Sequence, residues 1–129
     1  MLLREKYTED CTLINAEQNE FYFHLYSNVQ PDFFLFHTNP YKLNDKETQV
    51  VGYPDLIVEV WSETNDIYER VFKQYLYGTS DLTEHWYLRQ DTNIVKCFKG
   101  RTELVDKSLD TIMYTTFGLK FDLRDLQIK

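Results

Sequence analysis

Hydrophobic and polar positions alternate over FYFHLY (21–26), with Phe21, Phe23 and Leu25 on one side and Tyr22, His24 and Tyr26 on the other. That two-residue period predicts a strand. PDFFLF (31–36) is a short, near-continuous aromatic run that reads as a second strand, and SNVQ between the two suits a tight connection. Residues 38–52 (TNPYKLNDKETQVVG) follow neither period and are rich in turn formers, so they read as a loop or an extended arm of a hairpin. YPDLIVEVWS (53–62) then predicts a strand at about 55–61. The clearest helical spacing follows in SETNDIYERVFKQYLYG, where Ser62, Thr64 or Asn65 can cap the start. Ile67, Val71, Phe72, Tyr75 and Leu76 supply its expected apolar face, and Gly78 ends it. Strand signals return in EHWYLR (84–89), NIVKCF (93–98) and TELV (102–105), then TIMYTTF and KFDLRDLQI, with Lys99-Gly100 as a turn. Strands, one helix, then more strands predict an α+β fold, a mixed β-sheet with one principal helix packed on it.

Composition narrows this picture. The 129 residues are 43% hydrophobic and 16% aromatic, without repeat or linker, which predicts a single domain over 1–129 with a core of its own. Cys11 and Cys97 stand far apart in no paired spacing, so neither a disulfide framework nor a zinc knuckle is expected, and a reducing cytoplasm is the simplest location. MLLREKYTED lacks the apolar stretch of a signal peptide, and no apolar run approaches the roughly 20 residues that span a bilayer, so no membrane partner is expected. Net charge is −7, unevenly spread: residues 1–66 hold 12 acidic and 4 basic side chains, and residues 67–129 hold 9 and 10. An anionic partner should therefore prefer the second half.

Glu59 sits among Leu56, Ile57, Val58, Val60 and Trp61, so it must be neutralised, paired or exposed in a cleft. Alternation puts Asp55, Ile57, Glu59 and Trp61 on one strand face, but Asp55 and Glu59 are then roughly 13 Å apart, too far to share one ion. An antiparallel pairing of 31–37 with 55–61 would instead bring Asp32 beside Glu59. Two neighbouring carboxylates repel unless a cation sits between them, and oxygen-only ligands favour Mg²⁺ or Mn²⁺ over zinc. Lys73, on the following helix with Glu69 and Tyr77 at helical spacing, could stand above the same spot. The plainer readings are a solvated strand-face acid for Asp32 or Glu59, a surface lysine paired with Glu69, and a turn residue for Asp55 after Pro54. His24, His37 and His85 have no ligand-like spacing, and the cluster Arg89, Lys96, Lys99, Arg101 and Lys107 is interrupted by acids.

Several segments in order resemble a motif set: Pro31-Asp32, Pro54-Asp55-Leu56, Glu59-Val60-Trp61-Ser62, then Glu69, Lys73 and Tyr77, then Glu84-His85-Trp86, and the closing FGLKFDLRDL. Over about residues 28–127 the chain resembles the large bacterial family, abundant in cyanobacteria, of restriction-endonuclease-like proteins within the PD-(D/E)xK nuclease superfamily. In that family the motif lysine is thought to have moved to the following helix, which would leave Trp61 in its usual place and give its role to Lys73. The resemblance implies a restriction-endonuclease-like core and a nuclease acting on nucleic acid, with DNA the expected substrate. It implies Asp32 and Glu59 as metal ligands, Asp55 as a further candidate, Mg or Mn as the cofactor, and Lys73 as the group that assists the attacking water. The stretch ahead of Asp32 lacks the family's motif with a further glutamate; Glu17 and Glu20 are candidate substitutes, and Glu69 stands where the family has Asp. The acidity of the chain weakens attraction for DNA, which a homodimer pooling the more basic halves would ease. The alternative is a noncatalytic member of the fold that binds or regulates.

Overall fold

The computed structural model describes residues 3–8, 11–15, 20–23, 28–29, 31–43, 49–61, 66–89, 92–108 and 112–122. Ahead of the helix these form β1 (Leu3–Thr8), β2 (Cys11–Asn15), β3 (Glu20–Phe23), β4 (Asn28–Val29), β5 (Phe33–Phe36), β6 (Tyr41–Leu43), β7 (Gln49–Gly52) and β8 (Leu56–Trp61). The helix α1 (Ile67–Tyr77) precedes β9 (Glu84–Arg89), β10 (Ile94–Lys99), β11 (Thr102–Glu103), β12 (Lys107–Ser108), β13 (Ile112–Tyr114) and β14 (Lys120–Asp122). The main sheet runs β1-β2-β5-β8-β9-β10-β11, with β12 also paired to β10. Its pairs are antiparallel except β8 with β9. A parallel pair needs a crossover, and α1 supplies it. The fold is thus α+β with a mixed sheet and one helix after its motif strand. A smaller sheet, β4-β3-β7-β6, takes up residues expected as a strand, a tight connection and a loop: β4 falls within SNVQ and pairs antiparallel with β3, β6 and β7 are hairpin arms, and β7 lies parallel to β3.

LIVEVW in β8 is the chain's most apolar strand, and the sheet places it centrally, between β5 and β9. Burial on both faces explains why it reads as a run rather than an alternation. On one face Phe34, Phe36, Ile57 and Tyr87 pack with Leu76 and Tyr77 of α1 and Val50 of β7. On the other, Phe33, Leu35, Leu56, Val58, Trp86, Leu88, Val95 and Cys97 pack with Met113 and Leu119. Full burial of each such aliphatic or phenyl group stabilises the fold by about 1.5–3 kcal/mol.

Asp66 caps α1, its Oδ1 accepting the Tyr68 N–H at 2.7 Å. The cap candidates Ser62, Thr64 and Asn65 lie outside the described residues. Gly78 closes the helix as expected, its N–H donating to the Gln74 carbonyl. The orientation of α1 differs from the sequence expectation. Ile67, Val71, Phe72 and Tyr75 are exposed, and of the expected apolar face only Leu76 is buried. Lys73 and Tyr77 face the sheet instead, because the carboxylate of Glu59 lies beneath them and needs donors. Covering that charge with Val71 and Phe72 would cost several kcal/mol of unrelieved desolvation, on the order of what one buried ion requires.

Candidate active site

β5 and β8 pair antiparallel with Phe33 opposite Val58, Phe34 opposite Ile57 and Leu35 opposite Leu56. One residue beyond this register Asp32 stands across from Glu59. Phe34 and Ile57 face α1, so alternation turns Asp32 and Glu59 the same way. Asp32 is exposed, and its Oδ2 accepts the Val60 N–H at 2.7 Å, which fixes the carboxylate against β8. Glu59 is only 2% exposed. Its neighbour on the other side is Tyr87 of β9.

From α1, Lys73 Nζ lies 3.3 Å from Glu59 Oε2, and the Tyr77 hydroxyl donates to Oε1 at 3.3 Å. The same ammonium lies 3.3 Å from Glu69 Oε1, one helical turn back. Burial dominates and leaves the Glu59 carboxyl raised to about 7, against the pull of Lys73 and with a further push from Asp32. Burial lowers the Lys73 pKa, but Glu59 and Glu69 together more than offset it, so Lys73 stays cationic. Tyr77 is raised well above its ordinary value by burial and then by Glu59, which keeps it a neutral donor. The carboxyl group between them therefore titrates near neutrality while both donors hold their protons.

Asp55 is not brought to this group. It lies just ahead of β8, at the end away from Glu59, and is buried. Its Oδ2 accepts the N–H groups of His37 (2.7 Å), Thr38 (3.2 Å) and Asn39 (3.0 Å), while Oδ1 accepts the Thr38 hydroxyl at 3.1 Å. Those donors make Asp55 the staple of the 37–39 turn, the plainer of its two readings. Glu84, from the Glu84-His85-Trp86 motif, is also buried but faces away from α1. It accepts the Trp86 indole N–H at 2.6 Å and the Thr116 N–H at 2.8 Å, and so ties the 115–119 turn to the sheet.

One residue near the site, Arg70, escaped the sequence reading. It places its guanidinium 5.5 Å over the Trp61 ring, and its Nε is buried without a hydrogen-bond partner. Trp61 in turn lies 4.5 Å from Tyr87. The signal for Arg70 was the spacing 70, 73, 77, which puts Arg70, Lys73 and Tyr77 on one helix face.

Residues 2–122 match the model of the Uma2 family, described as "Putative restriction endonuclease". The chain belongs to the Uma2 family. No curated protein matches it. The family match begins at residue 2, so it takes in the strands ahead of β5 that a resemblance starting near residue 28 left out. The nuclease resemblance implies a divalent ion, and the oxygen donors that strand register sets beside one another are those of Asp32 and Glu59. Asp32 keeps its Oδ1 beyond the Val60 contact, Glu59 adds a second hard oxygen donor, and Mg²⁺ is commonly held by one or two carboxylates with water and phosphate completing the shell. Among the described residues no group of three or more His, Cys, Asp or Glu gathers to hold a metal.

Proposed function

We propose that this chain is a metal-dependent nuclease that hydrolyses nucleic-acid phosphodiesters, with DNA the expected substrate. One observation carries the reading: Lys73 Nζ is 3.3 Å from a buried Glu59 that stands in register beside Asp32. A Mg²⁺ or Mn²⁺ held by these two carboxylates would supply Lewis-acid stabilisation of phosphate oxygens and a more acidic water. Lys73 offsets charge developing on the scissile phosphate and orients the attacking water. Tyr77 holds the Glu59 carboxylate toward the helix, and Glu69 keeps Lys73 in place by its second ion pair. Arg70, fixed over Trp61, adds a second cation on the same helix face.

The experiment is cleavage of supercoiled plasmid and of single-stranded DNA with Mg²⁺ or Mn²⁺ by wild type, Asp32→Ala, Glu59→Ala and Lys73→Ala. Each variant should lose about 100-fold or more. Equal activity in all four would sink the assignment. A noncatalytic reading has one observation in its favour, that Lys73 and Tyr77 already satisfy both oxygens of Glu59. Calorimetric titration with Mn²⁺ separates the two readings, since the noncatalytic chain shows no binding that Asp32→Ala removes.

A further inference from the structure

Ile67, Tyr68, Val71, Phe72 and Tyr75 point away from the sheet and are 60, 83, 62, 52 and 65% exposed. Their spacing makes one continuous stripe along α1. Three of the five are aromatic, a class whose members offer roughly 150–250 Å² each when fully exposed, so at these exposures the stripe offers on the order of 600 Å². That is the upper end of the roughly 300–600 Å² of the largest apolar patch on a typical monomer. It is close to the roughly 800 Å² per partner of a standard stable interface.

The two ends of the stripe differ in charge. Asp66, exposed, flanks the N-terminal end. Arg101, with its guanidinium 5.6 Å over the Tyr75 ring, flanks the C-terminal end. An apolar band with an acid at one end and a base at the other is complementary to itself under a two-fold axis through its middle. Antiparallel pairing also opposes the two helix dipoles.

We infer that the outer face of α1 is the interface of a two-fold homodimer, in which the helices of two copies of this chain pack antiparallel with Val71 near the axis. Asp66 of one protomer then faces Arg101 of its partner. The inference does not depend on nuclease activity. Lys73 and Tyr77 occupy the opposite side of the same helix, so the dimer would press α1 onto the sheet and leave Asp32 uncovered.

Sedimentation equilibrium of the full chain tests it, with a mass twice 15.6 kDa expected for wild type. Val71→Lys should yield a folded monomer with wild-type circular dichroism, because the position is exposed, and a melting temperature that no longer depends on protein concentration. For the orientation, Ile67→Cys and Tyr75→Cys proteins in a Cys11→Ser background should form a disulfide-linked dimer when mixed, and little when either is oxidised alone. A wild type that stays monomeric at the highest concentration reached overturns the inference, and so does a dimer indifferent to Val71→Lys. Cross-linking of Ile67→Cys to itself, as in a parallel pair, overturns it as well.

Discussion

A carboxyl group pushed up to about 7 by burial, against an ordinary value of 4.5, holds a proton more readily in the folded chain than in the unfolded one. For Glu59 the resulting contribution to stability is fully present below pH 4.5 and is lost as pH rises through 7. His85 runs the other way. Its ring, stacked on Phe98 and hydrogen-bonded to the Gly100 carbonyl at 2.8 Å, is lowered by burial from 6.5 to about 4. Its contribution is present above pH 6.5 and is lost as pH falls through 4. In metal-free wild type the two slopes oppose each other. Glu59→Gln should therefore lose more stability than wild type on going from pH 7 to pH 4.5, by on the order of 3 kcal/mol at 1.36 kcal/mol per pKa unit. Urea unfolding in chelator measures this, and identical pH slopes for the two proteins would refute it. Asp32 and Asp55 should separate just as cleanly. Asp55→Ala strips the acceptor from three backbone N–H groups and should cost about 3 kcal/mol in unfolding free energy while Mn²⁺ affinity is retained. Asp32→Ala should abolish the rise in melting temperature produced by Mn²⁺, a rise worth about 2.7 kcal/mol when the ion is at a hundred times its Kd. That Asp32, Glu59 and Lys73 come together was legible because alternation along the strands and helical spacing can be read from sequence. Which acid a turn would consume was not legible, since Asp32 and Asp55 both follow proline and differ only in the donors that fold around them.

At the level of elements, the strands that show clearly in the sequence are those buried on both faces. β8 and β9 fall within one residue of expectation because their neighbours on both sides demand apolar side chains. β1 was not legible in the same way, because LREKYT offers no apolar run and its place at the edge of the main sheet is set by backbone pairing to β2. β6 and β7 are too short for a period to show. The face of α1 was misread for another reason: apolar spacing identifies the stripe, but the neighbouring charge decides which side meets the sheet. The turn from β10 to β11 is more sharply specified. Gly100 has φ +57°, and a Cβ there would come within 2.6 Å of Asp81 Oδ1 and 3.1 Å of Asp81 Cα. Gly100→Ala should lower stability by about 1–3 kcal/mol through left-handed backbone strain and the clash, read as a fall in the urea midpoint at unchanged m-value.

Over the whole molecule the sheet separates two chemistries. One face holds Glu59 under Lys73 and Tyr77, and the other buries Glu84 against Thr116. The charge imbalance between the two halves of the sequence was visible from the start, but not that the more basic half would contribute its lysine to a site whose carboxylates come from the acidic half. Among the described residues no helix is long and apolar enough to cross a membrane. The two tryptophans, Trp61 and Trp86, lie on opposite faces of the sheet, Trp61 partly exposed under Arg70 and Trp86 fully enclosed with its N–H on Glu84. Optically the protein is therefore partitioned. Acrylamide should quench about half of the indole emission and leave a blue-shifted remainder, and adding Mn²⁺ or DNA should alter only the accessible fraction, because Trp61 alone looks onto the site. Loss of the accessible fraction in Trp61→Phe, with the enclosed signal intact, would give each face of the sheet its own spectroscopic voice.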